Sequence, residues 1–150
     1  MTRFKFSRIS THANRYRAHI TTAPLVTIVI KHNQVMPYLV KACPSFKEPL
    51  KIFLRETNTR LIYIIMGEFA QHLLKLYQHG NTGEFFAVAD TIEYLYIHGT
   101  NYVKNAITGG FLEVIQYVWH YNNVNPNEFT KFLKPVSARY WQDMIQCMDE

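Results

Sequence analysis

The clearest helical pattern of this chain is RLIYIIMGEFAQHLLKLYQHG, residues 60–80. Its apolar residues recur at every third or fourth position along nearly the whole stretch, and that spacing places them on one face of an α-helix. Gly80 follows directly after the periodic run and can end the helix in a left-handed conformation. The stretch therefore predicts the longest helix of the chain, from Arg60 to His79.

Helical spacing continues on both sides of this stretch and is interrupted by residues that start or stop helices. Pro44 ends a first short helix, because the residue before a proline is disfavoured in the helical conformation. Ser45 and Glu48 match the capping-box pattern, which predicts Ser45 as the N-cap of the second helix. Thr100 and Ser137 are N-cap candidates further along, and Ser137 is predicted to cap the last helix.

About seven helical segments follow residue 35, and no sequence after that point has a convincing strand pattern, so we predict an all-α domain. Short loops place consecutive helices antiparallel. Two stretches, Thr82–Gly99 and Thr100–Tyr121, each begin at a threonine and end in an aromatic–histidine cluster, which indicates armadillo- or HEAT-like stacked helix pairs. An irregular antiparallel bundle stays open as the alternative. Phe85 and Phe86 are both among the apolar residues of the helix predicted after Thr82, and Gly109-Gly110 predicts a helix break.

Composition and charge divide the chain into two parts. With 150 residues, 48% of them hydrophobic and 18% charged, the composition is that of one globular domain and not of a disordered or membrane-spanning protein. All 11 acidic residues and ten of the 16 Lys/Arg lie in residues 36–150, which we predict to be a single helical domain. Residues 1–35 carry the other six Lys/Arg and no acid, so we predict a basic leader that is disordered or extended.

Three hypotheses remain for this leader. An acid-free, arginine-rich segment is typical of a mitochondrial transit peptide. Its cations, together with Phe4, Phe6 and Tyr16 for base stacking, could instead form a nucleic-acid-binding arm. We favour a poorly ordered tail that precedes a true start at Met36. Within it, only Leu25–Ile30 is apolar and β-branched enough for a short strand or a buried extended run.

The sequence contains no pattern that indicates catalysis, a cofactor or a bound metal. Cys43 and Cys147 lie among apolar residues on predicted helices, where cysteine behaves as a small hydrophobic residue. Glu68 and His72 are four residues apart on one helix face, but two ligands without a third match no established metal motif, so a surface Glu–His pair is the favoured interpretation. We therefore predict no enzyme and no cofactor. Two cysteines are too few for a disulfide framework, which favours a cytoplasmic location.

The acidic residues form a more informative pattern. Lysine and arginine are absent between Lys75 and Lys104. Stacked helices would gather the carboxylates of this region on one side, and such a negative surface suits a basic protein partner. A solvated helix face with ordinary charges is the alternative. The predicted partner-binding residues are Glu84, Asp90, Glu93 and Glu113.

Five segments carry a resemblance to a known type of protein. They are YLVKACPSF, MGEFAQHL, DTIE, AITGGFLEVIQ and LKPVSARYW, which begin at residues 38, 66, 90, 106 and 133. Together they resemble a family of small bacterial all-helical proteins of unknown function, over about Met36 to Asp149. Proteins of this appearance are similar in type to immunity proteins, which neutralise a secreted bacterial toxin by binding it.

The resemblance implies a non-catalytic protein whose partner is a toxin domain, bound through the acidic surface. Two other functions stay open. One is a helical-repeat adaptor for another protein or peptide, and the other is nucleic-acid binding through residues 1–35. No membrane partner is expected.

Overall fold

The computed structural model describes residues 27–149, and this part of the chain is helical almost throughout. It contains no strand, so the prediction of an all-α fold is confirmed for these residues. Single 3-10 turns at His32–Gln34 and Pro44–Phe46 precede the first two helices. The seven α-helices are α1 (Val35–Ala42), α2 (Lys47–Thr57), α3 (Ile62–Gln78), α4 (Phe85–His98), α5 (Asn101–Ala106), α6 (Asn127–Thr130) and α7 (Pro135–Asp149).

Helix α5 continues as a widened helix instead of breaking at Gly109-Gly110. Two π-helical segments, Ile107–Leu112 and Ile115–Trp119, extend it. A Cβ atom on Gly110 would lie 2.5 Å from the carbonyl oxygen of Tyr63 in α3. Glycine is needed here because the two helical backbones approach each other more closely than a side chain permits. The predicted break is therefore wrong, and the glycine pair serves packing against α3.

The core is built around α3, as its periodic sequence predicts. Phe69 is fully buried and stacks on Phe111 of the first π segment, with ring centroids 5.6 Å apart. Trp119 is also fully buried, and its indole Nε1 donates a hydrogen bond of 3.1 Å to the carbonyl oxygen of Ala70. Trp119 is therefore a core residue, with its one polar atom paired inside the protein.

The folded domain begins before residue 36, so the predicted boundary of the basic leader needs correction. Ile30 and Val35 are both buried in the main hydrophobic cluster. The backbone of Ile30 pairs with the turn after α4: its N–H donates to the carbonyl of His98 at 2.9 Å, and its carbonyl accepts from Thr100 N–H at 3.0 Å. Of the predicted run Leu25–Ile30, Ile30 is buried, whereas Ile28 and Val29 are 47% and 53% exposed. Residues 1–26 lie outside the described part of the chain.

Two helix ends that depend on neighbouring residues agree with the prediction. Gly80 follows α3 with φ of 75°, the left-handed conformation expected of it. Thr100 caps α5 by accepting a hydrogen bond from Val103 N–H at 3.3 Å. Ser45 and Ser137, in contrast, are not N-caps: α2 has no side-chain cap, and α7 begins at Pro135, two residues before Ser137.

Both serines fail as caps for the same physical reason, because each one bonds to a glutamate of the α4 region. Ser45 donates to Glu84, the residue that precedes α4. Ser137 donates to Glu93 within α4. The predicted caps are therefore tertiary contacts that fasten the α1–α2 loop and the start of α7 to the same helix.

None of the helices within residues 27–149 combines the length and the hydrophobicity that crossing a membrane requires.

Candidate functional site

The four carboxylates predicted to bind a partner have different surroundings. Glu84 and Glu93 are partly buried and hydrogen-bonded within the domain, whereas Asp90 is exposed and forms an ion pair. Glu113 lies between the two π segments and is half-buried. Of the four, Asp90 is the most open to a partner, since its side chain is 59% exposed.

Glu84 joins the loop after α1 to the start of α4. Its Oε1 accepts hydrogen bonds from Ser45 Oγ at 2.5 Å and from Cys43 Sγ at 3.1 Å, and its Oε2 accepts from Ser45 N–H at 3.2 Å. Burial alone raises the pKa of Glu84, but the bonds from Ser45 and Cys43 outweigh it, so the pKa lies below the ordinary value. Glu84 is therefore held as a carboxylate.

His72 of α3 completes this cluster but does not form a catalytic triad with Ser45 and Glu84. Its Nε2 lies 2.9 Å from Ser45 Oγ. In a triad the carboxylate orients the imidazole, whereas here it takes the hydroxyl hydrogen of the serine directly. Since that hydrogen lies toward Glu84, His72 Nε2 must carry the hydrogen of its own contact with Ser45.

Burial disfavours a charged imidazole at this position. It lowers the pKa of His72, although the nearby charge of Glu84 partly opposes the shift. His72 bonds to Ser45, so the predicted surface pair with Glu68 is not its principal contact. Within residues 27–149 no group of three or more His, Cys, Asp or Glu side chains is arranged so that it could hold a metal ion.

Glu93 of α4 caps the N-terminus of α7, the role predicted for Ser137. Its two carboxylate oxygens accept hydrogen bonds from the backbone N–H groups of Val136 at 2.9 Å and Ser137 at 2.8 Å, and Oε1 also accepts from Ser137 Oγ at 2.8 Å. Burial by itself raises the pKa of Glu93, but these bonds lower it overall. Glu93 is therefore an N-cap supplied by another helix, and its oxygens are already satisfied.

An open cleft between α1 and α4 contains Asp90 and is named here the tyrosine groove. Its volume is about 530 Å³. The rings of Tyr38 on α1 and Tyr94 on α4 meet with centroids 5.8 Å apart, and the ring of His98 follows 4.4 Å from that of Tyr94. The groove is lined by Tyr38, Lys41, Ala42, Ala87, Asp90, Thr91 and Tyr94.

Phe86 adds an exposed aromatic side chain one helical turn before Asp90. Residues four apart lie on the same face of a helix, so Phe86 and Asp90 share one face of α4. Phe86 is 70% exposed, and its ring meets the Phe132 ring edge to face at a centroid distance of 4.8 Å. Phe86 is exposed although it is an apolar residue of this helix, because Phe85 occupies the buried direction and adjacent helical residues point about 100° apart.

Asp90 itself is paired with Lys134 near the start of α7. The Lys134 Nζ to Asp90 Oδ1 distance is 2.6 Å, and the two side chains are 51% and 59% exposed. The hydrogen bond and the charge of Asp90 raise the pKa of Lys134. Water and salt screen exposed ion pairs of this kind, so they contribute little to stability and another cation can replace Lys134 at small cost.

The sequence alone missed Tyr38, Tyr94 and Phe86 as surface residues. The two tyrosines lie on different helices, and only the packing of α1 on α4 brings their rings together. Phe86 could have been suspected from the pair Phe85-Phe86, since both rings cannot face one core.

Comparison with known proteins identifies a family for this chain. The family described as a domain of unknown function, DUF7674, matches residues 36–148, which is well over half of the sequence. The chain belongs to this family. The DUF7674 region contains α1 to α7 nearly complete, and with them the tyrosine groove and both glutamate contacts. Neither a search of curated proteins nor a search of solved structures found a match.

Proposed function

We propose that this DUF7674 protein acts by binding another protein, without catalysing a reaction, and that the partner docks on the tyrosine groove. The main support for this proposal is the exposure of Phe86, a large apolar side chain that is 70% exposed one helical turn from Asp90. Aromatic residues in and beside a cleft are typical of the few positions that supply most of the binding energy of an interface. The aromatic side chains of Phe86, Tyr38 and Tyr94 would supply contact area. The carboxylate of Asp90 would orient the partner by pairing with one of its cations.

The partner is proposed to present a lysine or arginine to Asp90. Helix α4 contains no lysine or arginine, and the only cation paired with Asp90 is the weakly held Lys134, as far as residues 27–149 are concerned. A basic side chain between the tyrosine rings and Asp90 would gain both a cation–π contact and an ion pair. Lys41 in the same groove would favour a partner whose cation is accompanied by an acid.

The polar cluster at Ser45 supports a non-catalytic function. A serine nucleophile needs an oriented base and free donors for a developing oxyanion. Here the Ser45 hydroxyl and backbone N–H both donate to Glu84, and the next backbone N–H, of Phe46, donates to the Cys43 carbonyl at 2.8 Å. The donors of this loop are thus used within the fold.

A finer hypothesis is that the partner is a toxin domain and that docking neutralises it. The resemblance of the sequence to proteins of the toxin-immunity type supports this hypothesis. Co-expression of the chain with candidate toxin domains from its native host would test it, and rescue of growth is the expected result. A partner without toxicity would instead favour an adaptor function.

The binding proposal is tested with the full chain as bait and two variants of the groove. We expect Phe86→Ser and Asp90→Lys to weaken binding of the captured partner about 30-fold or more, as for other interface hot spots. Tyr121→Ser is the matched control, because Tyr121 is 88% exposed and outside the groove. Circular dichroism would confirm that each variant is folded. Wild-type affinity in both groove variants would refute the proposed docking site.

A further inference from the structure

A second open cavity lies at the start of α3, away from the residues of the tyrosine groove. Its volume is about 590 Å³, and it is lined by His32, Arg60, Leu61, Ile62 and Tyr102. The ring of Tyr63 adjoins it, 5.8 Å from the ring of Tyr102. This group of residues, with Tyr63 included, is named the aromatic–basic patch.

Three aromatic rings form a connected row in the patch. The His32 ring meets Tyr102 at a centroid distance of 5.3 Å, and Tyr102 meets Tyr63 at 5.8 Å, both edge to face. Tyr63 and Tyr102 remain 38% and 43% exposed. Each edge-to-face contact covers one face of only one of its two rings, so these exposed rings keep surface on which a planar group can stack.

The charge of the patch is positive. None of its residues is acidic, and Arg60 forms no ion pair within residues 27–149; its guanidinium donates only to the carbonyl of Thr59 at 3.0 Å. Lys31 is exposed beside His32. The 26 residues that precede the described part of the chain add five Lys/Arg and no acid. Within the described residues, an anionic partner would therefore meet the cations of Arg60 and Lys31 without a neighbouring acid in the patch.

We propose that the aromatic–basic patch binds single-stranded nucleic acid, with bases stacked on Tyr102 and Tyr63 and phosphates near Arg60 and Lys31. Proteins that bind single strands without sequence preference combine aromatic stacking surfaces with a cationic path for the backbone. The patch has both features. An acidic protein segment would use the cations but would not require planar rings, so the rings favour nucleic acid over a protein partner.

The test is fluorescence anisotropy of a labelled polyuridine of about 20 nucleotides, titrated with the full-length chain. Tyr102→Leu should weaken binding about tenfold, while Tyr102→Phe should bind like the wild type because it keeps the ring. Arg60→Gln should reduce the slope of log affinity against log salt by about one. Tyr117→Leu serves as control, since Tyr117 is 57% exposed and outside the patch.

The outcomes separate this proposal from the proposed function. Phe86→Ser and Asp90→Lys should leave binding of the oligonucleotide unchanged, whatever they do to a protein partner. Equal affinity of Tyr102→Leu and Tyr102→Phe would overturn the proposal, because stacking would then contribute nothing. If Arg60→Gln and Tyr102→Leu both bind the oligonucleotide like the wild type, the patch is not the binding site and residues 1–26 become the candidate. A wild-type chain that does not bind the oligonucleotide would exclude the site.

Discussion

Removing the Glu93 side chain should destabilise the protein strongly for a residue that is not in the core. Glu93→Ala leaves the backbone N–H groups of Val136 and Ser137 without their acceptor, while the Ser137 hydroxyl keeps only the Lys134 carbonyl, at 3.1 Å. Ser137 is fully buried, so water cannot readily replace the carboxylate. Loss of an N-cap costs about 0.5–2 kcal/mol, and loss of a favourable charge at a helix N-terminus costs about 0.3–1 kcal/mol more.

We therefore expect the free energy of unfolding to fall by about 2 kcal/mol. Urea denaturation at neutral pH, followed by circular dichroism, measures this loss. Glu48→Ala is the control, since Glu48 is exposed and paired only with Lys51, and it should change the free energy by less than about 0.5 kcal/mol.

The effect should also depend on pH with a definite sign. The pKa of Glu93 is lowered in the folded protein, so its contribution is present above the ordinary carboxyl pKa and is lost as the pH falls through the folded value. The difference between wild type and Glu93→Ala should shrink in acid. A variant as stable as the wild type at neutral pH would refute the interpretation of Glu93 as the cap of α7.

Three further results are expected. Cys147 is exposed and should react quickly with a thiol reagent, whereas Cys43 should react only on unfolding. The Cys43 side chain is inaccessible, and burial raises its pKa to about 12. Equal reaction rates of the two thiols in the native protein would contradict this expectation. Gly110→Ala should lower the melting temperature by several degrees, since the added Cβ would lie 2.5 Å from the α3 backbone. Gly83→Ala is the control and should leave the melting temperature unchanged, because Gly83 has open space around it. Equal melting temperatures of the two variants would contradict the close packing at Gly110. Because the pKa of His72 is lowered in the folded protein, the free energy of unfolding should decline as the pH falls through the ordinary histidine pKa. His72→Gln should reduce that decline, measured by urea titrations above and below the ordinary histidine pKa. A variant whose stability depends on pH as the wild type does would contradict this expectation.

Features decided by local sequence were predictable. The helical period of residues 60–80, the left-handed Gly80 and the Thr100 cap each depend on residues a few positions apart, and the structure confirms all three. The all-α fold follows from the same local patterns repeated along the chain.

Features decided by packing were not predictable from one sequence. Ser45 and Ser137 have the residue type of an N-cap, but their acceptors are 39 and 44 residues away, where no local pattern applies. The choice between Phe85 and Phe86 depends on which direction of α4 meets the core. The acidic pattern of the sequence indicated Glu84 and Glu93 as partner-binding residues. It could not show that their carboxylate oxygens accept hydrogen bonds from Ser45 and Ser137 within the domain, because those serines are distant in sequence.

We propose that the protein works by docking a partner at the tyrosine groove. A photo-crosslinking amino acid placed at position 86 in the native host tests it most directly, with position 121 as the comparison. We expect a single protein to be crosslinked from position 86, and the same protein to be absent from the products at position 121. Equal crosslinking from both positions, or none from position 86, would contradict the claim.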